Sequence, residues 1–132
     1  MGNLFVLDDD AVFHRLVELT AVRTRPFKGV YHYYDAKSLL QYLHTHRNDS
    51  ANLPDVIFVD LNMPDIDGWQ FLDALDNFSA EFAKPIAIYV VTVSVIKDDM
   101  ARAQTYRMVK DFVVKPISIN WLSSVGQSVK QN

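Results

Sequence analysis

Strand-like runs and helix-spaced stripes alternate five times along this chain, and that alternation admits few folds. The clearest run is Val56 to Val59, four consecutive apolar residues with no polar face. A strand of that kind is covered by helices on both sides, as at the centre of a parallel sheet. It ends at a carboxylate, Asp60.

The other runs follow the same rhythm. Asn3 to Leu7 is mostly apolar and closes on Asp8, Asp9 and Asp10, after which Val12, Phe13, Leu16, Val17 and Thr20 take up helical spacing. Pro26 and Gly29 punctuate the approach to a second strand, Val30 to Tyr34, and Asp35 is placed to cap a helix whose buried stripe is Leu39, Leu40 and Leu43. A polar, solvent-facing loop then runs to Pro54. Beyond Asp60, the loop 61–67 leads to a third helix through Trp69, Phe71, Leu72, Leu75 and Phe78. Ile86 to Val91 is the fourth strand, with Thr92 at its carboxyl end. Asp98 to Arg107 reads as a weakly amphipathic helix through Met100, Ala101, Ala103 and Tyr106. Phe112 to Val114 is the last strand, closed by Lys115 and Pro116, and Ile119, Leu122, Val125 and Val129 mark the last helix, which Gly126 weakens locally.

This pattern predicts an α/β fold: a doubly wound, five-stranded parallel sheet in the flavodoxin-like order 2-1-3-4-5, with helices on both faces. The full 132 residues are expected to form a single domain. In such sheets ligands bind beyond the carboxyl ends of the strands, where the order reverses beside the first and third strands. Asp8, Asp9 and Asp60 converge at that point.

Composition narrows the chemistry. No cysteine is present, which excludes disulfides, thiol catalysis and cysteine-ligated metal centres. The net charge of −3 carries no basic block, so direct nucleic-acid binding is not expected. No stretch approaches a membrane span and the start lacks a signal-type segment, so a cytoplasmic location is expected. The histidines His14, His32, His44 and His46 are scattered in sequence, and a histidine metal site is not expected.

Three carboxylates in one small cleft repel one another, and a hard cation such as Mg²⁺ would offset that repulsion. Taken alone, Asp8 and Asp9 fit equally well as solvated loop residues. Asp10 stands where it can cap the first helix.

The ordered set Asp8-Asp9, Asp60-Leu61-Asn62-Met63-Pro64 with Asp67-Gly68, Thr92, and Lys115-Pro116 resembles the receiver domain of two-component response regulators, over about Leu4 to Val129. The resemblance implies that Asp60 is the phosphoacceptor, taking a phosphoryl group from a sensor histidine kinase or histidine phosphotransfer protein in a transfer the receiver itself catalyses. It implies Mg²⁺ held by Asp8, Asp9, Asp60 and the backbone carbonyl of Asn62, with Asp9 and Asp60 as direct ligands. Lys115 would pair with Asp60 before transfer and with a phosphoryl oxygen afterwards, aimed by a Pro116 that in the family is commonly cis. Thr92 would supply the hydroxyl that engages phosphate, with Ser94 a nearby competitor, and Phe112 would be the switch aromatic that moves with it. Phe112 reads equally well as a core strand residue. Output would pass to a downstream protein through the fourth helix, last strand and last helix, where Trp121 is either an exposed anchor or partly buried. Val93 departs from the small residue that often follows the Thr, and implies an altered phosphoryl lifetime; Asp111 replaces a frequent glycine.

Two other functions share parts of this pattern. A haloacid-dehalogenase-like phosphohydrolase also uses a strand-end Asp and Mg²⁺, but wants a second Asp where this chain has Asn62, and a cap or longer chain. A receiver-fold binding module that acts without phosphorylation would have lost an acidic, Thr or Lys position, and none is lost. The chain reads either as a standalone receiver or as one excised from a longer regulator.

Overall fold

The computed structural model describes residues 2–130. Ten main elements alternate along the chain: β1 (Asn3–Leu7), α1 (Ala11–Thr24), β2 (Gly29–Tyr33), α2 (Ala36–Thr45), β3 (Val56–Val59), α3 (Gly68–Asp76), β4 (Ala87–Thr92), α4 (Lys97–Ala103), β5 (Val109–Val114) and α5 (Ile119–Lys130). A short 3₁₀ turn, Ser79–Glu81, follows α3. All strand pairs are parallel and their order is β2-β1-β3-β4-β5, as the alternation predicts.

The side-chain period of two along each strand divides the core between the two faces of the sheet. Val56 and Phe58 join Leu4, Val6 and Val91 beneath α1 and α5, through Phe13, Val17, Leu122 and Val125. Ile57 and Val59 join Phe5, Leu7, Ile88 and Val90 on the other face, beneath α2, α3 and Ala103 of α4. Full burial of β3 on both faces explains its uninterrupted apolar run. Asp10 and Asp35 cap α1 and α2, accepting from Val12 N at 2.9 Å and Ser38 N at 2.8 Å.

Several expectations are corrected. The buried stripe of α1 is Phe13, His14, Val17 and Ala21, while Val12 is 66% exposed and Leu16 51%. Val12, Leu16, Leu19 and Val22 form a second apolar stripe that faces outward. Strands β2 and β4 are offset by one residue from the apolar runs that predict them. Strand β5 starts at Val109, earlier than its apolar run, because an edge strand tolerates charge on its open side. Its register jumps from Ile88↔Val109 to Tyr89↔Asp111, leaving Lys110 as the extra residue of a bulge. Helix α4 stops at Ala103, so Tyr106 packs from the loop beyond it and donates its hydroxyl to Asp73 Oδ1. In α5, Leu122 and Val125 are buried whereas Ile119 is exposed. Trp121 is half-buried, its ring 5.2 Å from Phe58 and 5.6 Å from Tyr89, which is the second of its two readings.

Candidate functional site

The carboxyl ends of β1 and β3 are tied to their neighbours by backbone bonds that continue the sheet. Asp8 N donates to Tyr33 O at 3.1 Å and Asp60 N to Leu7 O at 3.0 Å. Both side chains are thereby held at the switch point, and both are sequestered from water: Asp8 is 1% exposed and Asp60 6%. Asp9 projects to solvent at the rim. One oxygen from each of the three carboxylates lies within 4.8 Å of the others.

The electrostatics of the cleft are lopsided. Burial, reinforced by the negative charge of Asp8, pushes the Asp60 carboxyl up to about 6; the Lys115 ammonium, the Thr92 hydroxyl and the backbone of Asn62 pull it down less strongly. Asp60 Oδ1 is buried without a hydrogen-bond partner. A buried, unpartnered carboxylate oxygen is costly unless a ligand completes it.

Lys115 is placed differently from the sequence expectation. Its Nζ donates to Asp8 Oδ2 at 2.6 Å, not to Asp60, and lies 4.3 Å from the centroid of the Phe13 ring. Asp8 is the more deeply buried carboxylate and gains most from a direct cation. The Lys115-Pro116 peptide bond is cis. Thr92, fully buried, ends β4, and its carbonyl accepts from Lys115 N at 2.8 Å, which joins the ends of β4 and β5. Ser94 is not a free competitor for Thr92, because its hydroxyl donates to Asp99 Oδ2 at 2.7 Å. Asn62 is exposed at the mouth of the cleft. Phe112 is paired in register with Val90 and half-buried against the core.

Two supporting residues frame the cleft. A Cβ at Gly68 would stand 2.5 Å from the backbone O of Asp60 and 2.8 Å from Leu61 Cα, so only glycine lets the start of α3 close on the loop that follows Asp60. Gly68→Ala is expected to cost about 1–3 kcal/mol through overpacking and to displace the loop, as read by the urea midpoint; an unchanged midpoint would refute this close packing. The other is His14, 3% exposed, whose Nε2 donates to the backbone O of Asp8 at 2.7 Å. Burial lowers its pKa, although the Asp8 carbonyl opposes that. A histidine in mid-helix carries no sequence signal for this contact.

A parallel sheet in this order, with paired carboxylates at its switch point and a lysine just beyond the last strand turned into the cleft, defines a receiver-type α/β signalling module. A family model for the response regulator receiver domain matches residues 4–125, and the chain belongs to that family. It is 27% identical over 129 residues to the probable methanogenesis regulatory protein FilR2 of Methanothrix harundinacea, covering 97% of this chain and 81% of that one. A two-component response regulator from Cytophaga hutchinsonii has the same fold, with a TM-score of 0.86 at 21% identity over 98% of this chain and 97% of that one. So has the phosphorylated cyanobacterial phytochrome response regulator RcpA, with a TM-score of 0.73 at 22% identity over 98% and 91%. Receiver domains bind Mg²⁺ at an acidic pocket, and this chain has the aspartate cluster for one. Membership implies interaction with histidine kinases or phosphotransfer proteins. No helix among the described residues is long and apolar enough to cross a membrane.

Proposed function

We infer that Asp60 accepts a phosphoryl group from a phosphohistidine, and that the domain reports the modification through its surface. The observation that carries this reading is the buried, unpartnered oxygen of Asp60 amid carboxylates and one lysine. An oxygen of Asp60 forms the new bond to phosphorus as the bond from phosphorus to the imidazole nitrogen breaks, and the imidazole keeps the electron pair. Asp8, Asp9, Asp60 and the Asn62 carbonyl would hold Mg²⁺; their all-oxygen donor set and the unsatisfied Asp60 oxygen suit a hard cation. When bound, the ion supplies charge neutralisation for the transferring group. Lys115 leaves Asp8 to pair with a phosphoryl oxygen, and Thr92 donates its hydroxyl to another. Labelling by acetyl phosphate tests the assignment: Asp60→Asn should take up no phosphate, and undiminished labelling of that variant would overturn it.

The raised pKa of Asp60 sets a pH dependence. Asp60 must release its proton to bind the cation, so Mg²⁺ affinity is expected to level off above about pH 6 and to fall roughly tenfold per unit below it. Calorimetric titration between pH 5 and 8 checks this; a flat profile would contradict a buried acceptor whose pKa is raised.

Phosphorylation replaces the single charge of the Asp60 carboxylate with a phosphoryl group of about −1.5 to −2, which draws Thr92 and Lys115 inward and biases the surface beyond them. Phe112 is the proposed switch aromatic, two register positions from Val114, which pairs with Thr92. Exposed apolar side chains at Val95, Ile96, Met100, Val114 and Ile119 support an output surface across α4, β5 and α5. The outward stripe of α1 begins at Val12, close to Asp9, and supports docking of the phosphodonor there. Val93, exposed beside Thr92, sits where it can control access of water to the phosphoryl group.

A further inference from the structure

His14 of α1 and His32 of β2 are 18 residues apart in sequence, and their Nδ1 atoms meet at 2.7 Å. Their other ring nitrogens are both committed as donors. His14 Nε2 lies 2.7 Å from the carbonyl O of Asp8, which can only accept. His32 Nε2 lies 2.6 Å from Glu18 Oε2, a carboxylate oxygen that also accepts. Each imidazole therefore carries its proton on Nε2, and in the neutral tautomers two Nδ1 lone pairs face one another at contact distance. That arrangement is repulsive unless a cation stands between them.

We propose that His14 and His32 form a second metal site, one that takes a borderline divalent cation such as Zn²⁺ or Cu²⁺. Imidazole nitrogens suit these ions, whereas the all-oxygen carboxylate cleft suits Mg²⁺, so the two sites sort metals by ligand hardness. The outer contacts match those that orient metal-binding histidines, with one ring N–H held by a carboxylate and the other by a backbone carbonyl. Tetrahedral zinc at about 2.0–2.1 Å from each nitrogen separates them by about 3.3 Å, so the rings need part by only about 0.6 Å. His14 is held from behind by the Tyr34 ring, 4.1 Å between centroids, while the His32 side chain keeps 24% exposure, which leaves a solvent side for water ligands. Because His14 also holds the Asp8 carbonyl, the site is tied to the loop that bears Asp8 and Asp9.

Calorimetric titration of Zn²⁺ into the full chain, with Mg²⁺ in excess, tests the proposal. One Zn²⁺ per chain is expected. His32→Gln should weaken binding by more than about tenfold, and Glu18→Gln, which keeps both imidazoles, by about tenfold. Asp9→Asn and His44→Gln should leave Zn²⁺ affinity unchanged, and retained Mg²⁺ binding in the histidine and Glu18 variants verifies their fold. With Cu²⁺, the spin-resonance spectrum should carry hyperfine splitting from two nitrogens. Absence of uptake up to about millimolar Zn²⁺ would overturn the proposal and leave a proton as the bridging cation. Loss of binding in Asp9→Asn, or undiminished binding in His32→Gln, would overturn it equally.

Discussion

Asp60→Asn is expected to be more stable than the native chain when no metal is present, by about 2–3 kcal/mol at pH 7. The Asp60 carboxyl is raised from 3.8 to about 6 by burial and by Asp8. The folded protein therefore binds this proton more tightly than the unfolded chain does. Stability contributed by the protonated group is full below about pH 4 and is lost as the pH rises through about 6. The amide removes the charge but keeps the shape, so the gain should be large at pH 7 and should shrink by pH 5. Urea denaturation in the presence of a chelator at both pH values measures it. A variant less stable than the native chain at pH 7 would mean that the cleft does not oppose the Asp60 charge. The physical content of this prediction is that the cleft holds the Asp60 charge at the expense of the fold.

Lys115→Met should act in the opposite direction. Its ammonium is the direct partner of Asp8, 2.6 Å away, and Asp8 is almost fully buried. Removing one member of a buried pair leaves the other without compensation, a loss of about 3–5 kcal/mol where the remaining charge has no escape. Mg²⁺ affinity should rise at the same time, by about tenfold, because a competing cation has left the cleft. Saturating Mg²⁺ should then recover much of the lost stability through its preferential binding to the folded state. Unfolding midpoints with and without Mg²⁺ read both effects. Unchanged stability together with unchanged affinity would show that the Lys115–Asp8 contact does not govern the cleft.

The sheet was legible because its central strand is buried on both faces and ends abruptly in a carboxylate: Val56 to Val59 followed by Asp60 admits few other readings. The parallel order then brought Asp8 and Asp60 together without knowledge of any side-chain contact. What remained hidden depends on choices that local pattern does not encode. Helix α1 carries two apolar stripes at helical spacing, and the sequence mixes them; only packing against the sheet selects Phe13, Val17 and Ala21 over Val12, Leu16, Leu19 and Val22. The early part of β5 carries no apolar signal, because Lys110 and Asp111 are tolerated at an edge strand with a bulge. The partner of Lys115 was set by relative burial, which favours Asp8 over Asp60. His14 and His32 look scattered in sequence because the parallel pairing of β1 and β2 and the packing of α1, which bring their rings together, leave no trace at either residue.

The most direct measurement is the intact mass of the full chain after incubation with phosphoramidate and Mg²⁺, compared with Asp60→Asn under the same conditions. A gain of one phosphoryl group, about 80 Da, is predicted in the native chain alone. Equal gain in both proteins, or no gain in either, would contradict Asp60 as the phosphoacceptor.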